Sequence, residues 1–515
     1  MVEPTEILGT PTVQNEDVRR EPGRRDLLRN PWSAAMVALG GVALAACDFT
    51  SASYDRNVHL LRRLTFGPTP ATLARIRSIG ENAWLDEQFA PSSLDSSAMN
   101  AKLAQLPALT MSAVELATTY PVGVPAPGWQ LQFAALLRAV LNPAQLHERM
   151  VEFWNDHFNI YFEDRLHQRL KIVDDRDVIR PRALTTFSDL LVATAQSPVM
   201  LVYLDNYIST AGAINENYGR ELLELHTVGV DGGYTEDDVV AVSRLLTGWT
   251  IERSTGTFAF RSALHDPAPL TIMGWTRPTS GTALSHGVQF LQWLAMRPAT
   301  ARHVCTKIAR RFVSDAPSPS LVNAMAAAWS ANGSSIPAVL RAMVGHADFA
   351  ASASLKYRRP SDYLPFVLRA LGADVVVPTA PSQLGAFSAV YSPLHQTPFM
   401  WDAPDGYPDD EASWLSAGAD LARWNLVGVT ATNRIPQFVV NLSPLAAGLP
   451  GRTAHEVYSA ISRALVHEDT TSLGRDFLNR QLGWTTNLRP SASQIATALP
   501  TIAIASLISA DAQYR

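Results

Sequence analysis

The sequence of 515 residues contains very little cysteine, which limits the kinds of site that it can build. Only Cys47 and Cys305 are present. The mature chain therefore has no internal disulfide unless Cys47 stays unmodified, and it cannot form a cysteine-rich zinc site. The formal net charge is only −5, so the protein lacks the overall positive field that nucleic-acid-binding proteins use.

Familiar catalytic signatures are also missing. The sequence has no HExxH zinc motif, no paired Glu-x-x-His motifs and no nucleophile elbow. No internal repeat of fixed period is visible, so nothing indicates a repeat architecture. Glycine (29 residues) is less frequent than proline (34 residues), which is typical of many helices joined by proline-punctuated loops.

The amino terminus has the pattern of a bacterial export signal. Arg24 and Arg25 form a twin-arginine pair, and the apolar run at residues 32–46 is too short to span a bilayer comfortably. The run ends in Leu-Ala-Ala-Cys, which resembles a lipobox, so we expect lipidation of Cys47 after cleavage. Asp48 would then resemble a signal for retention in the inner membrane. The alternative is a non-lipidated export signal in which Cys47 has no role.

These features predict an exported protein, periplasmic or at the cell surface, that is anchored to the inner membrane through Cys47. Twin-arginine export carries folded proteins, which permits a bound metal without requiring one. Residues 1–47 are the signal segment, residues 48–57 a linker, and residues 58–515 a single large helical domain. That domain can be divided further into sub-lobes at 58–250 and 284–515.

The spacing of apolar residues predicts an all-α fold, mainly helical, with long loops and at most a minor short β-hairpin. Residues 214–249 are the most informative stretch, because they predict two helices joined by a glycine-containing loop. In the first helix Asn217, Glu221 and Glu224 share one stripe. Arg220 lies four residues before Glu224 and is predicted to pair with it.

The second helix of this stretch has a clear beginning and a clear apolar face. Thr235 is predicted to cap it, with Asp238 completing a capping box. The residues predicted to form its buried stripe are Val239, Val242, Leu246 and Trp249. The two helices can form a hairpin with a solvated acidic face, or they can carry a polar site.

Several histidines are candidate ligands, and each also has a structural interpretation. His157 lies at an apolar helix edge, where a core histidine is more common than a metal ligand. His265 and Asp266 occupy a rigid turn, where the pair can bind a metal or relay a proton, or where the carboxylate only caps the turn. His226 and Glu224 are two residues apart, so they cannot face one metal unless the helix is broken.

Residues 396–408 form a loop that is dense in proline and aromatic residues, including Trp401 and Tyr407. Such a loop costs little entropy to order, which suits a packed lid or a ligand platform, or equally a cover for the core. A helix beginning at Pro298 is predicted to carry a basic face. Its members are Arg302, His303, Lys307, Arg310 and Arg311. This face can be solvated, pair with acidic neighbours or bind an anion.

Seven blocks of this sequence, taken together, resemble one bacterial family. In order they are HLLRRLTFG, ERMVEFWNDHF, NENYGRELLELHTVGVDGGYT, FAFRSALHDPAPLTIMG, RPATARHVCTKIARRFV, KYRRPSDY and QTPFMWDAPDGYPDD. The chain resembles domain-of-unknown-function family 1800 over nearly everything after residue 55. The resemblance implies a mostly helical, often exported protein. It also implies a gene neighbour from a second family that is similar to alkaline phosphatases and sulfatases, and no established activity.

The resemblance also indicates which polar residues to consider. They are Asn215, Asn217, Arg220, Glu221, Glu224, Thr235, His265, Asp266, Lys307 and Gln396. The sequence departs from the family pattern at Ala268 and Leu270, where a glycine and a lysine are expected, and at His395, where a glycine commonly precedes the glutamine. Any role that needs the missing lysine is in doubt.

Two functions fit these observations. The first is an envelope binding or assembly protein that holds a polysaccharide or a phosphatase- or sulfatase-like partner, with the Glu-Arg-Asn cluster as a buried structural network. Its candidate binding residues are Asn215, Asn217, Arg220, Lys307, Gln396, Trp401, Asp405 and Tyr407. No nucleic acid is expected as a partner.

The alternative is a metal-dependent hydrolase that acts on an envelope or extracellular ester or polymer. Its candidate catalytic residues are Glu221, Glu224, His265 and Asp266. Its candidate ligands for a divalent metal are His157, His226, His265 and Asp266. The sequence alone does not identify the cofactor.

Overall fold

The computed structural model describes residues 54–120, 126–162, 165–388 and 390–515. Within these ranges the fold is mainly α-helical, as predicted, and the strands form only short two-stranded antiparallel pairs. The predicted signal segment at 1–47 and residues 48–53 of the linker lie outside the described residues. No helix in the described ranges is both long enough and apolar enough to cross a lipid bilayer.

The amino-terminal half consists of helices connected by short loops. They are α1 (Arg56–Leu64), α2 (Pro70–Ile79), α3 (Glu81–Phe89), α4 (Ser97–Leu103), α5 (Ala113–Thr119), α6 (Ala126–Leu141), α7 (Gln145–His157), α8 (Arg165–Asp174), α9 (Arg180–Arg182), α10 (Phe187–Ala195) and α11 (Pro198–Tyr203). A π-helical turn, Asp175–Ile179, connects α8 to α9.

The stretch at 214–249 forms the predicted pair of helices, but the first is shorter and less regular than expected. It begins as α12 (Asn217–Glu221) and continues as a π-helical turn, Leu222–His226. The Thr227 hydroxyl donates to the Leu222 carbonyl at 2.6 Å, and this bond closes the wider turn. The regular helical spacing assumed for Glu224 and His226 was therefore wrong.

The second helix, α13 (Glu236–Leu245), confirms its predicted cap. The Thr235 hydroxyl accepts a hydrogen bond from the backbone amide of Asp238, and the Asp238 carboxylate accepts one from the amide of Thr235. The predicted stripe is buried at Val239, Val242, Leu246 and Trp249. Gly219 lets α12 approach α13 closely, because an added Cβ would overlap the Ser243 hydroxyl.

Three antiparallel strand pairs are present where at most one hairpin was expected. β1 (Trp249–Glu252) pairs with β2 (Thr257–Phe260), with Trp249 opposite Phe260. β3 (Thr271–Ile272) pairs with β4 (Trp275–Thr276). β5 (Asp374–Val375) pairs with β6 (Phe438–Val439), which lies more than sixty residues further along the chain, so sequence spacing gave no indication of it.

The carboxyl-terminal half is again helical. Its helices are α14 (Ala283–Ala295), α15 (Pro298–Phe312), α16 (Pro319–Ala331), α17 (Ile336–Gly345), α18 (Ala347–Ala351), α19 (Pro360–Ala370), α20 (Pro381–Ser388), α21 (Ala417–Ala431), α22 (Ala454–Val466), α23 (Ser472–Leu482), α24 (Ala492–Leu507) and α25 (Ala510–Gln513). The helix predicted to begin at Pro298 does so, since proline suits the first helical position.

Two apolar cores organise these helices. The first runs from α1 to α18 and contains the fully buried Trp154, Trp249 and Trp329. The second joins α6 to α19 and to the helices after it. The first core includes residues of the segment 250–284, which lies between the two predicted sub-lobes. The second core includes residues of α6, a helix of the amino-terminal half. The predicted division into sub-lobes stays a prediction.

Candidate functional site

The loop at 396–408 packs tightly against the end of α7. The Asn159 side-chain amide donates hydrogen bonds to the backbone carbonyls of Trp401 at 2.9 Å and Ala403 at 2.7 Å. Gly406 has a φ of +78°, and an added Cβ there would overlap the backbone oxygen of Asp156. The loop is therefore held in one conformation by backbone contacts as well as by its prolines.

The outward side of this loop forms a pocket of about 460 Å³, which we call the outer pocket. Residues that line it include Trp401, Asp405, Tyr407, Asp410, Lys307 and Arg310. The rings of Trp401 and Tyr407 lie 5.1 Å apart, and the Trp401 indole donates a hydrogen bond to Asp405 at 2.7 Å. Aromatic faces, carboxylates and a cation thus share one concave surface.

Lys307 contributes the cation of the outer pocket from α15. Its half-buried ammonium group makes no hydrogen bond or ion pair with any residue of the described ranges. Burial lowers its pKa to about 8, although the charges of Asp409 and Asp156 act in the opposite direction. The hydrogen-bonding capacity of the ammonium group is thus unused, and it is available for contact with a ligand.

The predicted acidic helix adjoins the outer pocket. Glu221 is half-buried, and burial raises its pKa, with the charges of Glu224 and Asp405 adding to the rise. The Tyr234 hydroxyl contacts Glu224 at 3.4 Å. Glu221 and Glu224 therefore lie within electrostatic range of the proline-rich loop. Lys307, Trp401, Asp405 and Tyr407 line the outer pocket together, whereas Glu221 and Glu224 are not among its lining residues.

The other predicted residues of this helix do not join the site. Arg220 does not pair with Glu224 but with Glu236, at 2.9 and 2.6 Å, and more weakly with Glu216 at 3.8 Å. Glu224 lies within the π-helical turn, so the regular i+4 spacing assumed for this pair does not apply to it. Asn217 is exposed. The predicted buried Glu-Arg-Asn network was therefore wrong.

Asn215 has a local structural role at the start of α12. Its side-chain oxygen accepts a hydrogen bond from the backbone amide of Asn217 at 2.9 Å. The backbone amide of Asn215 donates to the Ser209 hydroxyl at 3.1 Å. These bonds shape the turn that leads into the helix. Neither asparagine is among the residues that line the outer pocket.

The His265–Asp266 turn is engaged in its own surroundings. The His265 Nδ1–H donates to the Thr247 carbonyl at 2.9 Å, and its Nε2 contacts the Arg277 guanidinium at 3.3 Å. Asp266 accepts a hydrogen bond from Arg244 at 2.7 Å. Both ring nitrogens and the carboxylate are thus used to hold the turn. None of these contacts involves Glu221 or Glu224, and the catalytic grouping with them stays a prediction.

His157 and His226 are core residues beside the outer pocket. Their rings lie 6.2 Å apart, and the His157 Nε2–H donates to the His226 carbonyl at 3.1 Å. His303 lies 6.5 Å from His157 and donates to the Leu225 carbonyl at 3.1 Å. Within residues 54–120, 126–162, 165–388 and 390–515, no three His, Cys, Asp or Glu residues are arranged to hold a metal. The described part of the chain thus does not gather His157, His226, His265 and Asp266 into one ligand set.

The burial of these histidines predicts that the folded protein loses stability as the pH falls. Burial lowers the pKa of His226 to about 3 and that of His303 to about 4, and it also lowers the pKa of His157. Above pH 6.5 the imidazoles are neutral in both the folded protein and the unfolded chain. Below it the unfolded chain binds protons that the folded protein cannot, so each histidine removes about 1.4 kcal/mol of stability per pH unit.

Urea unfolding at several pH values between 7 and 5 measures this effect. A His157→Gln variant should reduce the proton uptake on unfolding by about one proton at the acidic end. Replacing the exposed His395 with Asn is the matched control. An unchanged pH dependence in His157→Gln would contradict a neutral buried imidazole at that position.

A buried ion network lies directly beneath the outer pocket. Arg311 donates to Asp156 and to Asp409 at 2.6 Å each. Arg359 donates to Glu152 at 2.6 Å and to Asp156 at 2.8 Å. Burial alone would raise the pKa of Asp409, but the charges of Arg311 and Arg359 outweigh it and lower the pKa to about 2. The network connects α7, α15 and the residue before α19 to the loop.

Arg311 was predicted to lie on the basic face of α15. Of the three interpretations of that face, pairing with acidic neighbours holds for Arg311. It is fully buried and pairs with acids of α7 and of the loop, whereas Arg302 and Arg310 are exposed. Sequence reasoning did not include the network among the candidate site residues. The available signals were this basic face and the polar stripe of α7 formed by Glu148, Glu152 and Asn155.

That stripe lines a second, smaller cavity of about 80 Å³, which we call the inner cavity. Glu148, Glu152 and Asn155 follow one another along it at helical spacing, and Asn159, just beyond the end of α7, also lines the cavity. Gln396, a predicted binding residue, is buried here and accepts a hydrogen bond from the backbone amide of Ser361 at 2.9 Å. Gln396 thus belongs to the inner cavity and not to the outer pocket.

Comparisons with known proteins agree with the ordered blocks in the sequence. No curated protein and no solved structure gives a significant match to the chain. A family model described as "Protein of unknown function (DUF1800)" matches residues 59–512, which covers most of α1, all of α2 to α24 and most of α25. The chain therefore belongs to the DUF1800 family.

Proposed function

We propose that this protein is an exported cell-envelope binding protein that holds a polysaccharide in the outer pocket. The observation that carries the proposal is the juxtaposition of the Trp401 and Tyr407 rings with Lys307 and with the carboxylates of Asp405 and Asp410. A sugar ring presents an apolar face and a hydroxyl edge, which suit an aromatic ring and charged hydrogen-bonding groups respectively.

The size and accessibility of the pocket support a polymer as the ligand. A volume of about 460 Å³ falls within the range of small-molecule sites, so it accommodates a short segment of a chain. Asp405 and Arg310 are exposed, so the ends of such a segment can continue into solvent. The rigid loop adds affinity because little entropy is lost when the ligand binds.

Affinity electrophoresis tests this proposal. We expect one or more polysaccharides in a panel of soluble neutral and acidic polymers to retard the protein in native gels. Trp401→Ala and Lys307→Met should each weaken that retardation by about tenfold in apparent affinity, since each removes one principal contact. Trp293, equally half-buried but remote from the pocket and packed on Arg297, provides the control Trp293→Ala. Equal retardation of all variants would refute the proposal.

The proposal also includes the envelope location, which rests on the sequence of the signal segment. We propose that Cys47 carries a lipid that anchors the mature protein to the inner membrane. Cells fed a labelled fatty acid should incorporate the label into the parent protein, which should fractionate with membranes. Cys47→Ala should lose the label and appear in the soluble periplasmic fraction. A label that persists in Cys47→Ala would contradict lipidation at this residue.

A phosphatase- or sulfatase-like protein encoded nearby is the proposed partner. This part rests on the family resemblance, and co-purification from the native host tests it, with failure to recover such a protein as the contrary result. A metal-dependent hydrolase is the weaker proposal. His265 and Asp266, which it requires, are used to hold their own turn.

A further inference from the structure

The inner cavity has a wall whose charges are already balanced. Arg180 donates to Glu148 at 2.7 Å and to Asp175 at 2.8 Å. Glu152 and Asp156, the other carboxylates of the wall, pair with the arginines of the buried network. A charged ligand would find no unpaired opposite charge there and would have to be desolvated without compensation. The cavity is therefore suited to a neutral molecule.

Three polar groups of the wall have unused hydrogen-bonding capacity. The Asn155 side-chain oxygen is buried without a partner. Within the described part of the chain, the Tyr391 hydroxyl and the side-chain amide NH2 of Gln396 also donate no hydrogen bond, although both residues are about 98% buried. Buried polar groups are normally paired, so these three groups indicate a missing partner that both accepts and donates.

The opposite side of the cavity is apolar, with Phe66, Ala139 and Phe399 among the lining residues. A molecule with a hydrocarbon face and several hydroxyl groups would satisfy both sides at once. The volume of about 80 Å³ is several times the about 10–15 Å³ that a cavity needs to hold one water molecule. That is enough for a short polyol and too small for a disaccharide.

We propose that the inner cavity is a binding site for a small neutral polyol, held by Asn155, Tyr391 and Gln396. This site is separate from the outer pocket and does not depend on the polysaccharide proposal. The two share only Tyr407 among their lining residues.

Thermal unfolding in erythritol tests the proposal. Every polyol raises the unfolding temperature in a roughly linear way through exclusion from the surface, whereas a specific site adds a saturable increase. We expect the parent protein to show the saturable component with erythritol and only the linear component with sucrose. Tyr391→Phe, which keeps the ring, should weaken the saturable component by about threefold to tenfold.

A second variant keeps the result interpretable if the tyrosine proves important for folding. Ala139→Leu fills the cavity from its apolar side and leaves all three polar groups in place, so it should abolish the saturable component and retain the linear one. A linear response of equal slope in the parent and both variants would overturn the proposal and show that the cavity holds water only.

Discussion

An Asp362→Asn substitution is expected to lower the free energy of unfolding by about 3–5 kcal/mol, because it removes the charge from a completely buried ion pair. Asp362 lies between the guanidinium groups of Arg149 and Arg515, the latter at 2.9 Å, and all three side chains are inaccessible to solvent. Burial alone would raise the pKa of Asp362, but the charges of the two arginines outweigh it and hold that pKa well below its usual range.

The loss should be large because the arginines cannot adjust. A guanidinium group stays protonated in proteins, so the asparagine variant would leave two buried cations with less compensation than before. Arg149 keeps a second contact, with Glu152 at 2.9 Å, whereas Arg515 loses its only carboxylate partner in the described ranges. Most of the loss is therefore expected from Arg515.

Urea unfolding of Asp362→Asn measures this loss, and the exposed pair between Arg220 and Glu236 provides the control. Glu236→Gln should leave the free energy of unfolding unchanged within error, since solvent screens that pair. A stability of Asp362→Asn equal to that of the control would show that the buried pair contributes nothing. The buried ion pairs of Asp362 would then have no role in stabilising the fold.

Gly406→Ala is the second substitution with a large expected effect, a loss of about 2–4 kcal/mol of unfolding free energy. Two costs combine at this position. The φ of +78° disfavours any residue with a Cβ, and that Cβ would also overlap the backbone oxygen of Asp156 at the end of α7. Because the obstacle is backbone and not a flexible side chain, the loop itself must move.

Gly448 separates these two costs. Its φ is +70°, close to that of Gly406, but nothing lies within 4 Å of the position that its Cβ would occupy. Gly448→Ala should therefore lose only the conformational part, about 1 kcal/mol. Thermal and urea unfolding of both variants give the difference. Equal losses at the two glycines would contradict the close packing of the loop on α7.

The sequence was sufficient for those elements whose signals are local. The capping box of α13 depends on two residues three apart, and the start of α15 depends on a single proline. The loop at 396–408 was recognisable from its prolines and aromatic residues. In each case the determining interactions lie within a few residues, so spacing alone predicted the outcome.

The parts that could not be predicted depend on contacts between distant residues. The polar stripe of α7 was visible at Glu148, Glu152 and Asn155, but the partners that neutralise α7 are far away in sequence. Arg311 lies 155 residues beyond Asp156, and Arg359 lies 207 residues beyond Glu152. Periodicity places a residue on a helix face without showing what that face contacts.

The turn at 222–226 shows a different limit. A regular helix was assumed, and on it Arg220 would reach Glu224. The Thr227 hydroxyl instead takes the Leu222 carbonyl, the turn widens, and Arg220 pairs with Glu236 across the hairpin. Helical spacing alone therefore did not predict the partner of Arg220.

Hydrogen–deuterium exchange with an oligosaccharide fragment of the retarding polymer tests most directly whether the outer pocket is the binding surface. We expect slower amide exchange at residues 401–410 when the fragment is added, with no change at the remote helix α23. Unchanged exchange in the loop at saturating fragment, or protection confined to another part of the chain, would contradict it.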